Sequence, residues 1–518
     1  MMRRVDRIQQ SLSGSLAARQ PGSRALMLPR SSIMPRAQYS QAAAVAAPVP
    51  EDSFPPSNGE DEFWRKVPMW KDVSMEDFIS WSWSKKNVVE HHTRSAPEKL
   101  KETLASVLPD HMPLNRNASL LQSREEFIKD IFDGIEVSSM SLRIMCVDVL
   151  RASPPICLGS HGSKLTYARP HIFSRINWQD PRHDPIFRQF IPLKSLMQPD
   201  HPKSKLDSLH EKDDAPLDNL VHRYPDKALF LPIAVCPTYC QSCTRSYAVG
   251  ADTSEVTKEG MKPILKRWEA AFKYIEANPQ ITDIVVSGGD AYYLAPEHLA
   301  FIGERLIKMP NIKKFRIASK GLGVAPNRIL DPNDQWTDAL LWVHRLALKE
   351  GKRAALHTHI NHPNEISWMT EQACRKLVEG GLTIRNQSVL LHGINDSAET
   401  ISKLIRSLAE DLRINPYYVY QCDMVEKVEH LRTPLQSIID IEAQIRGSIA
   451  GFDVPQFIVD LPQGGGKRLA GSYLSYDRNT GVSRFTAPAV SGNGAKVNKV
   501  YEYYDPLPPT PAKMGRSD

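Results

Sequence analysis

No apolar run in the 518-residue chain approaches the roughly 18 residues that a bilayer-spanning helix needs, and no membrane partner is expected. Charge of one sign is also scarce once the first residues are set aside. The net charge is +6, but Arg3, Arg4, Arg7, Arg19, Arg24, Arg30 and Arg36 face one acid, Asp6, before Glu51. The rest is near neutral, which gives no case for a nucleic-acid partner. Cysteine is sparse as well, with seven residues, an odd number. Three lie within eight positions and four (Cys146, Cys157, Cys374, Cys422) are scattered. That usage does not fit a secreted disulfide framework, and the scattered four read as free thiols. What is present is ordinary: 41% hydrophobic and 24% charged residues, as in a globular protein. The length suits two or three domains, or one large barrel with extensions.

Residues 1–45 are rich in Arg, Ser, Ala and Gln, nearly free of acids, and have no continuous apolar core. They fit a mitochondrial presequence and so a matrix location, with a plain disordered tail as the alternative. Residues 46–59 form a Pro-rich acidic linker, and 60–227 an N-terminal helical region. Within it, Ser74-Met-Glu-Asp77 resembles a capping box, and Phe78, Trp81 and Trp83 read as a face packed on the core. Residues 145–170 have no clean period and read as an inserted loop without core contacts. Lys203 to Leu220 is polar and charged and reads as a surface segment. From 228 to 452 strand patterns alternate with helical ones. The strands are expected at 228–235, 282–287, 313–318, 353–360, 383–391 and 417–422; the helices at 257–276, 296–308, 337–349, 366–379, 397–412 and 434–450. Six βα units predict an α/β fold, an incomplete (βα)6 barrel open on one side, with an open doubly wound sheet as the alternative. Residues 453–490 form a C-terminal segment, and 491–518 a tail.

Chemistry in such folds belongs at the C-terminal strand ends, and polar residues gather there. Cys236, Cys240 and Cys243 follow the first strand in a loop tight enough to aim three thiolates at one point. Zinc usually takes four closed ligands, and disulfide exchange would leave one thiol over. An iron–sulfur cluster with one open iron fits the trio better. Ser287-Gly288-Gly289-Asp290 follows the second strand; its glycines suit close approach to a ligand or simply a tight turn. His357, His359 and His362 close the fourth and read as hydrogen-bonding groups rather than a second metal site. Gln387 lies in the fifth strand, and Asp423 follows the sixth. Beyond the sixth unit, Gly464-Gly465-Gly466 precedes Lys467, followed by Arg468, so this is not a P-loop. Such a loop could swing an amine in and out of a site, as Schiff-base lysines require, or be a plain flexible turn.

Taken together, HRYPDKALF, CPTYCQSCTR, DIVVSGGDA, HTHINHPNEI, NQSVLLHGIND, PYYVYQCD and VPQFIVDLPQGGGK resemble the lysine 2,3-aminomutase family of radical S-adenosylmethionine (SAM) enzymes. The resemblance covers about 205 to 485 well and 60–90 more loosely. It implies a radical-SAM partial barrel with a C-terminal segment bearing a pyridoxal 5'-phosphate (PLP) lysine. Cys236, Cys240 and Cys243 would hold a [4Fe–4S] cluster whose open iron takes SAM. Gly288, Gly289, Asp290, His359 and Gln387 would lie beside SAM. Lys467 would carry PLP as an internal aldimine, with Tyr224 and Lys227 as further cofactor contacts. Arg245 would clamp the substrate's α-carboxylate, and Asp423 and Asp460 its distal ammonium.

The implied reaction interconverts L-lysine and β-lysine through a 5'-deoxyadenosyl radical, an isomerase activity needing an outside reductant protein. The paired aspartates favour lysine: a carboxylate at ~4 Å from each would meet repulsion of up to about 4 kcal/mol per contact at an effective dielectric near 20. An aminomutase of another amino acid and a non-catalytic cluster- or PLP-binding relative are the alternatives. The chain departs from the family's pattern at three places. Lys227 stands for an arginine, SerTyrAlaVal follows CTR in place of a basic run, and SerLysGlyLeuGly at 319–323 replaces a Ser-Arg-Thr-Pro-like segment. Residues 485–518 contain no cysteine, so no structural zinc is expected. A homo-oligomer is suggested by the family alone.

Overall fold

In the computed structural model the described residues are 62–87, 89–90, 96–115, 119–138, 167–250, 252, 256–258, 265–488, 496 and 498–508. The expected presequence, the linker and residues 145–166 of the expected insertion lie outside them.

One nine-stranded sheet carries the molecule, and its strand order is the chain order. The strands are β1 (Leu220–Tyr224), β2 (Lys227–Phe230), β3 (Asp283–Val286), β4 (Lys314–Ala318), β5 (Arg353–Thr358), β6 (Thr383–Leu390), β7 (Asn415–Gln421), β8 (Gln456–Leu461) and β9 (Gly466–Leu469). β2 through β8 run parallel. β1 and β9 close the two edges as antiparallel hairpins. The sheet is therefore open, a curled half-barrel, with the hairpins occupying what would otherwise be bare edges.

Six helices make the crossovers: α1 (Leu265–Ala277), α2 (Pro296–Lys308), α3 (Trp336–Lys349), α4 (Trp368–Glu379), α5 (Ala398–Arg406) and α6 (Leu435–Ile445). The sequence shows why α2 sits where it does. Pro296 starts it, and Leu299, Ile302, Gly303 and Leu306 form one buried stripe at helical spacing. Gly303 lets α2 approach α3 closely, since a Cβ there would lie 2.5 Å from Val343. In β6, Ile384, Asn386, Ser388 and Leu390 are buried and alternate with Arg385, Gln387 and Val389. Gln387 and Val389 of the second set face the interior of the half-barrel.

Four expectations need correction. The barrel has a seventh parallel strand, β8, which the sequence reading assigned to the C-terminal segment. The expected insertion does not run to 170: Arg169 and Pro170 belong to the core. The Arg169 guanidinium lies 4.4 Å from the Trp81 ring centroid and 5.3 Å from that of Tyr293, and it donates to the Ser84 carbonyl at 3.3 Å. The expected tail is also structured in part. β10 (Ser475–Asp477), β11 (Val482–Thr486) and β12 (Val500–Tyr504) form a small antiparallel sheet, with Tyr501 and Tyr503 buried. Tyr503 donates to the Cys422 carbonyl at 3.0 Å, tying this sheet to the end of β7. Finally, the N-terminal region is only partly helical. Its longest described helices are Ala96–Val107 and Arg124–Val137, and the rest is helices of four to six residues, turns and two-residue or three-residue ladders ahead of β1. The aromatic face there is as expected: Ser74 caps Met75–Ile79, Trp64 stacks on Phe78 at 4.3 Å, and Phe78 and Trp81 are buried.

Candidate active site

A cavity of about 720 Å³ fills the half-barrel. All of Tyr224, Lys227, Cys236, Cys240, Cys243, Arg245, Gly288, Gly289, Asp290, His359, Gln387, Asp423, Asp460 and Lys467 line it. These residues come from strands and loops at both ends of the sheet, so the fold brings together what lies over 240 positions apart in sequence, from Tyr224 to Lys467. The volume lies in the upper part of the range for a single small-molecule site.

The cysteine loop is held against β3 by backbone contacts. The N–H of Gly289 donates to the Ile233 carbonyl at 2.5 Å, and that of Asp290 to the Val235 carbonyl at 2.9 Å. A Cβ on Gly288 would stand 2.1 Å from the Ile233 oxygen, and one on Gly289 2.5 Å from the Val235 nitrogen. Gly288 also takes φ +94°, where side chains are strained. Both glycines are thus required by the chain itself. The three cysteines are in no disulfide and are half-buried. Burial raises the thiols of Cys240, to about 12, and of Cys243. Among the described residues no three ligand-type side chains converge on a single-ion site. Thiolates on a four-iron cube stand farther apart than those on one ion, so three thiols in one cavity wall suit a cluster.

Polar groups on the same side are satisfied by one another. Asp290 accepts the N–H of Tyr292 at 2.8 Å and that of Lys320 at 2.7 Å, and burial pushes its pKa up to about 6. Lys320 donates to Glu365 at 2.8 Å and to the His359 carbonyl at 2.8 Å. Glu365 is completely buried. It also accepts the N–H groups of Asn361 (2.8 Å) and His362 (3.0 Å) and the Gln189 amide (3.1 Å). His359 bonds Asn361 at 2.9 Å, and burial lowers its pKa to about 3, as it does for His357. Both rings are therefore neutral, and they serve as the hydrogen-bonding groups the sequence suggests.

Across the cavity, the β8–β9 hairpin sets Asp460 directly opposite Lys467. Gly464 and Gly466 turn the chain there with φ of +77° and +82°. The Lys467 ammonium binds Asp460, its backbone N–H donates to the Tyr224 hydroxyl at 3.2 Å, and Tyr420 presents its ring 5.5 Å away. Burial opposes the Lys467 charge, but Asp460 outweighs it and holds the pKa well above the ordinary lysine value. The Tyr420 hydroxyl donates to Gln387 at 3.0 Å, and Gln387 reaches His357 at 3.4 Å. Asp423 accepts from the Thr244 hydroxyl at 2.6 Å, and burial plus the nearby Asp460 push it up to about 7. Asp460 Oδ1 is buried without a partner. Although Asp460 is paired with Lys467, this end of the cavity still offers a buried carboxylate oxygen to a further donor.

Lys227 pairs with Asp226 at 3.1 Å and covers the Tyr224 ring at 4.8 Å. Arg245 makes a two-pronged pair with Glu211, at 2.8 Å from Nε and 2.7 Å from Nη2. This overturns the surface reading of 203–220. Ser208, Leu209 and Glu211 are buried, and Leu209 and Glu211 line the cavity. An acidic stretch looks solvated in sequence because its partners, Arg223 and Arg245, come from elsewhere. Arg223 was missed too: it binds Asp214 at 2.7 Å and the Leu209 carbonyl, and lines the cavity. Its place beside Tyr224 in HRYPDK was the available signal. Lys320 and Glu365 carried no signal of pairing.

No family model matches the chain. Individual relatives do. An L-lysine 2,3-aminomutase of Acetoanaerobium sticklandii is 34% identical over 395 residues, 76% of this chain and 79% of that one. The L-lysine 2,3-aminomutase of Fusobacterium nucleatum is 38% identical over 299 residues, 58% of this chain and 65% of that one. A glutamate 2,3-aminomutase of Clostridioides difficile is 31% identical over 385 residues, covering 71% and 86%. With a relative this similar along most of both chains, the protein belongs to the L-lysine 2,3-aminomutase family, enzymes of the isomerase class.

Proposed function

We propose that this protein is an L-lysine 2,3-aminomutase that interconverts L-lysine and β-lysine. The observation that carries the choice of substrate is the pair of carboxylates, half-buried Asp423 and buried Asp460, in one cavity with Lys467 and Arg245. One oxygen of Asp460 is buried without a partner, and Asp423 has a pKa pushed up by burial and by its carboxylate neighbour. An ammonium satisfies both; a side-chain carboxylate, as in glutamate, would add a third negative charge.

The residues present fit the cofactors that the family implies. Cys236, Cys240 and Cys243 would hold the [4Fe–4S] cluster, with Gly288, Gly289, Asp290 and His359 beside SAM. Lys467 would hold PLP, with Tyr224 and Lys227 near it. When bound, the cluster and SAM supply a hydrogen-abstracting radical, and PLP carries the migrating amine. The chain's own residues bind and orient. Arg245 takes the α-carboxylate and Asp423 with Asp460 the distal ammonium, which fixes the carbon chain between two charged ends. Asp460 keeps the Lys467 nitrogen protonated until another cation replaces it. Neutral His357 holds Gln387, and Gln387 holds Tyr420 over Lys467. The electrons come from an outside reductant protein. The basic, acid-poor N-terminus supports delivery to the mitochondrial matrix, which imaging of a tagged full-length chain would test.

The deciding assay incubates anaerobically reconstituted protein with lysine or glutamate, SAM and a reductant. β-Lysine from lysine alone is expected. Turnover of glutamate in preference to lysine would refute the reading, and Asp423→Asn should cut lysine turnover.

A further inference from the structure

Glu211 belongs to a segment with no counterpart among the motifs, yet it is only 4% exposed and faces the cavity. Three features fix its carboxylate. Its backbone N–H donates to Asp207 at 3.0 Å, which sets the turn. The Tyr247 hydroxyl donates to its Oε2 at 3.0 Å. Arg245 donates to both oxygens, from Nε and Nη2. Burial opposes a charged Glu211, but Arg245 more than compensates and holds its pKa below the ordinary value.

The pair has a directional consequence. A guanidinium offers two forks, one along Nε and Nη2 and one across Nη1 and Nη2. Glu211 takes the first, which leaves the Nη1 end for the cavity. The cavity also holds Asp423 and Asp460, and one Asp460 oxygen is buried without a partner. Arg245 follows Thr244, whose hydroxyl already touches Asp423. An unheld Arg245 is free to turn toward those carboxylates, which share its cavity, and pairing with them would remove both ends of the substrate site at once.

We propose that Glu211 is a positioning residue for substrate recognition: it holds Arg245 off the paired aspartates and presents its free end to an α-carboxylate. This rests on the reading of Arg245 as the carboxylate clamp. Two effects of removing Glu211 compete. Loss of a nearby negative charge would strengthen binding of a carboxylate, and loss of orientation would weaken it. Orientation wins because competing carboxylates stand in the same cavity.

The test is equilibrium binding of lysine to the PLP-loaded protein without SAM, by calorimetry, so that no turnover enters. Variants are Glu211→Ala, Arg245→Ala, the double variant, and Glu211→Gln, which is nearly isosteric should the alanine variant fail to fold. Glu211→Ala and Glu211→Gln should each weaken lysine about tenfold or more. Adding Arg245→Ala to Glu211→Ala should then cost little further, because the two act as a unit. Unchanged or tighter lysine binding in the Glu211 variants overturns the proposal, as do additive losses. If Arg245→Ala alone leaves lysine affinity intact, the clamp reading itself fails, and Glu211 has nothing to position. A merely structural Glu211 would lower the melting temperature without this non-additivity.

Discussion

The two halves of the cavity rim treat buried charge in opposite ways. Around the cysteine loop, the charged groups at the ends of β3–β5 are answered by the chain: Lys320 by Glu365 and the His359 carbonyl, Asp290 by two backbone N–H groups. Behind β7 and β8, on the lysine side, the chain answers charge only in part. Asp460 gives one oxygen to the Lys467 ammonium and keeps the other buried without a partner, and Asp423 has one hydroxyl donor and an acidic neighbour. The first half is finished as a scaffold, and its shape has to exist before a ligand arrives. The second half is finished only when a cation enters. The substrate's charge therefore completes the fold's own accounts on one side alone, and substitutions on the two sides should separate stability from binding.

The largest effect is expected from Glu365→Ala. It strands the Lys320 ammonium, whose side chain is only 7% exposed, and removing one partner of a buried ion pair typically costs about 3–5 kcal/mol. Denaturant unfolding of the cofactor-free protein would read this, and a loss under about 1 kcal/mol would end the contrast between the halves. Asp423→Asn should do the reverse. It removes a carboxylate that the chain does not satisfy, so stability should hold or rise. Lysine affinity should fall about tenfold to a hundredfold, the worth of a charged hydrogen bond. Equal stability losses at 365 and 423 would show that the two sides do not differ.

Proton linkage sharpens the same contrast. Folded Asp423 keeps its proton to a pH of about 7, against an ordinary value of 3.8. Between those values the folded state binds more protons than the unfolded one, so this group's contribution to stability is lost as pH rises from about 4 to 7. Glu365 has the opposite sign: burial pushes it up, but Lys320 pulls it below the ordinary value, so its contribution is lost on acidification. Unfolding free energy measured against pH should therefore gain a more positive slope across that window in Asp423→Asn than in the parent. Parallel curves would refute the raised carboxyl.

Much of this was legible in the sequence because strands, helices and turn residues carry local signals. Helix 296–308 is found at its expected limits because Pro296 and a helical apolar stripe mark it. The seventh strand was not legible as a strand. Gln456–Leu461 is buried on both faces apart from Gln456, so it shows no alternation, and its Asp460 belongs to a motif that drew attention to chemistry. All fourteen residues named from the sequence line one cavity, since motifs at strand ends converge once the strands are parallel. Glu211, Arg223, Lys320 and Glu365 were hidden for one reason. Glu211, Lys320 and Glu365 are defined by partners distant in sequence, 34 positions away for Glu211 and 45 for Lys320, and Arg223 by Asp214 within a stretch that reads as surface; a buried charge without its partner in view reads as a solvated one.

The smallest effect comes from Thr244→Val, which tests whether the chain leaves Asp423 unanswered. The substitution keeps the shape and removes the hydroxyl that Asp423 accepts from at 2.6 Å. A neutral hydroxyl is worth about 0.5–1.5 kcal/mol net, so stability should change by about that much or less. The informative change lies in the titration. The Thr244 bond favours the charged carboxylate and so lowers its pKa, against burial and Asp460, which raise it. Without the hydroxyl, the pH window over which Asp423 weakens the fold should move upward. Lysine affinity should change by less than about tenfold, because an ammonium satisfies the carboxylate with or without the hydroxyl. A loss as large as that of Asp423→Asn would mean that Thr244 is what makes the carboxylate competent. The cation would then be entering a site that the chain had already completed.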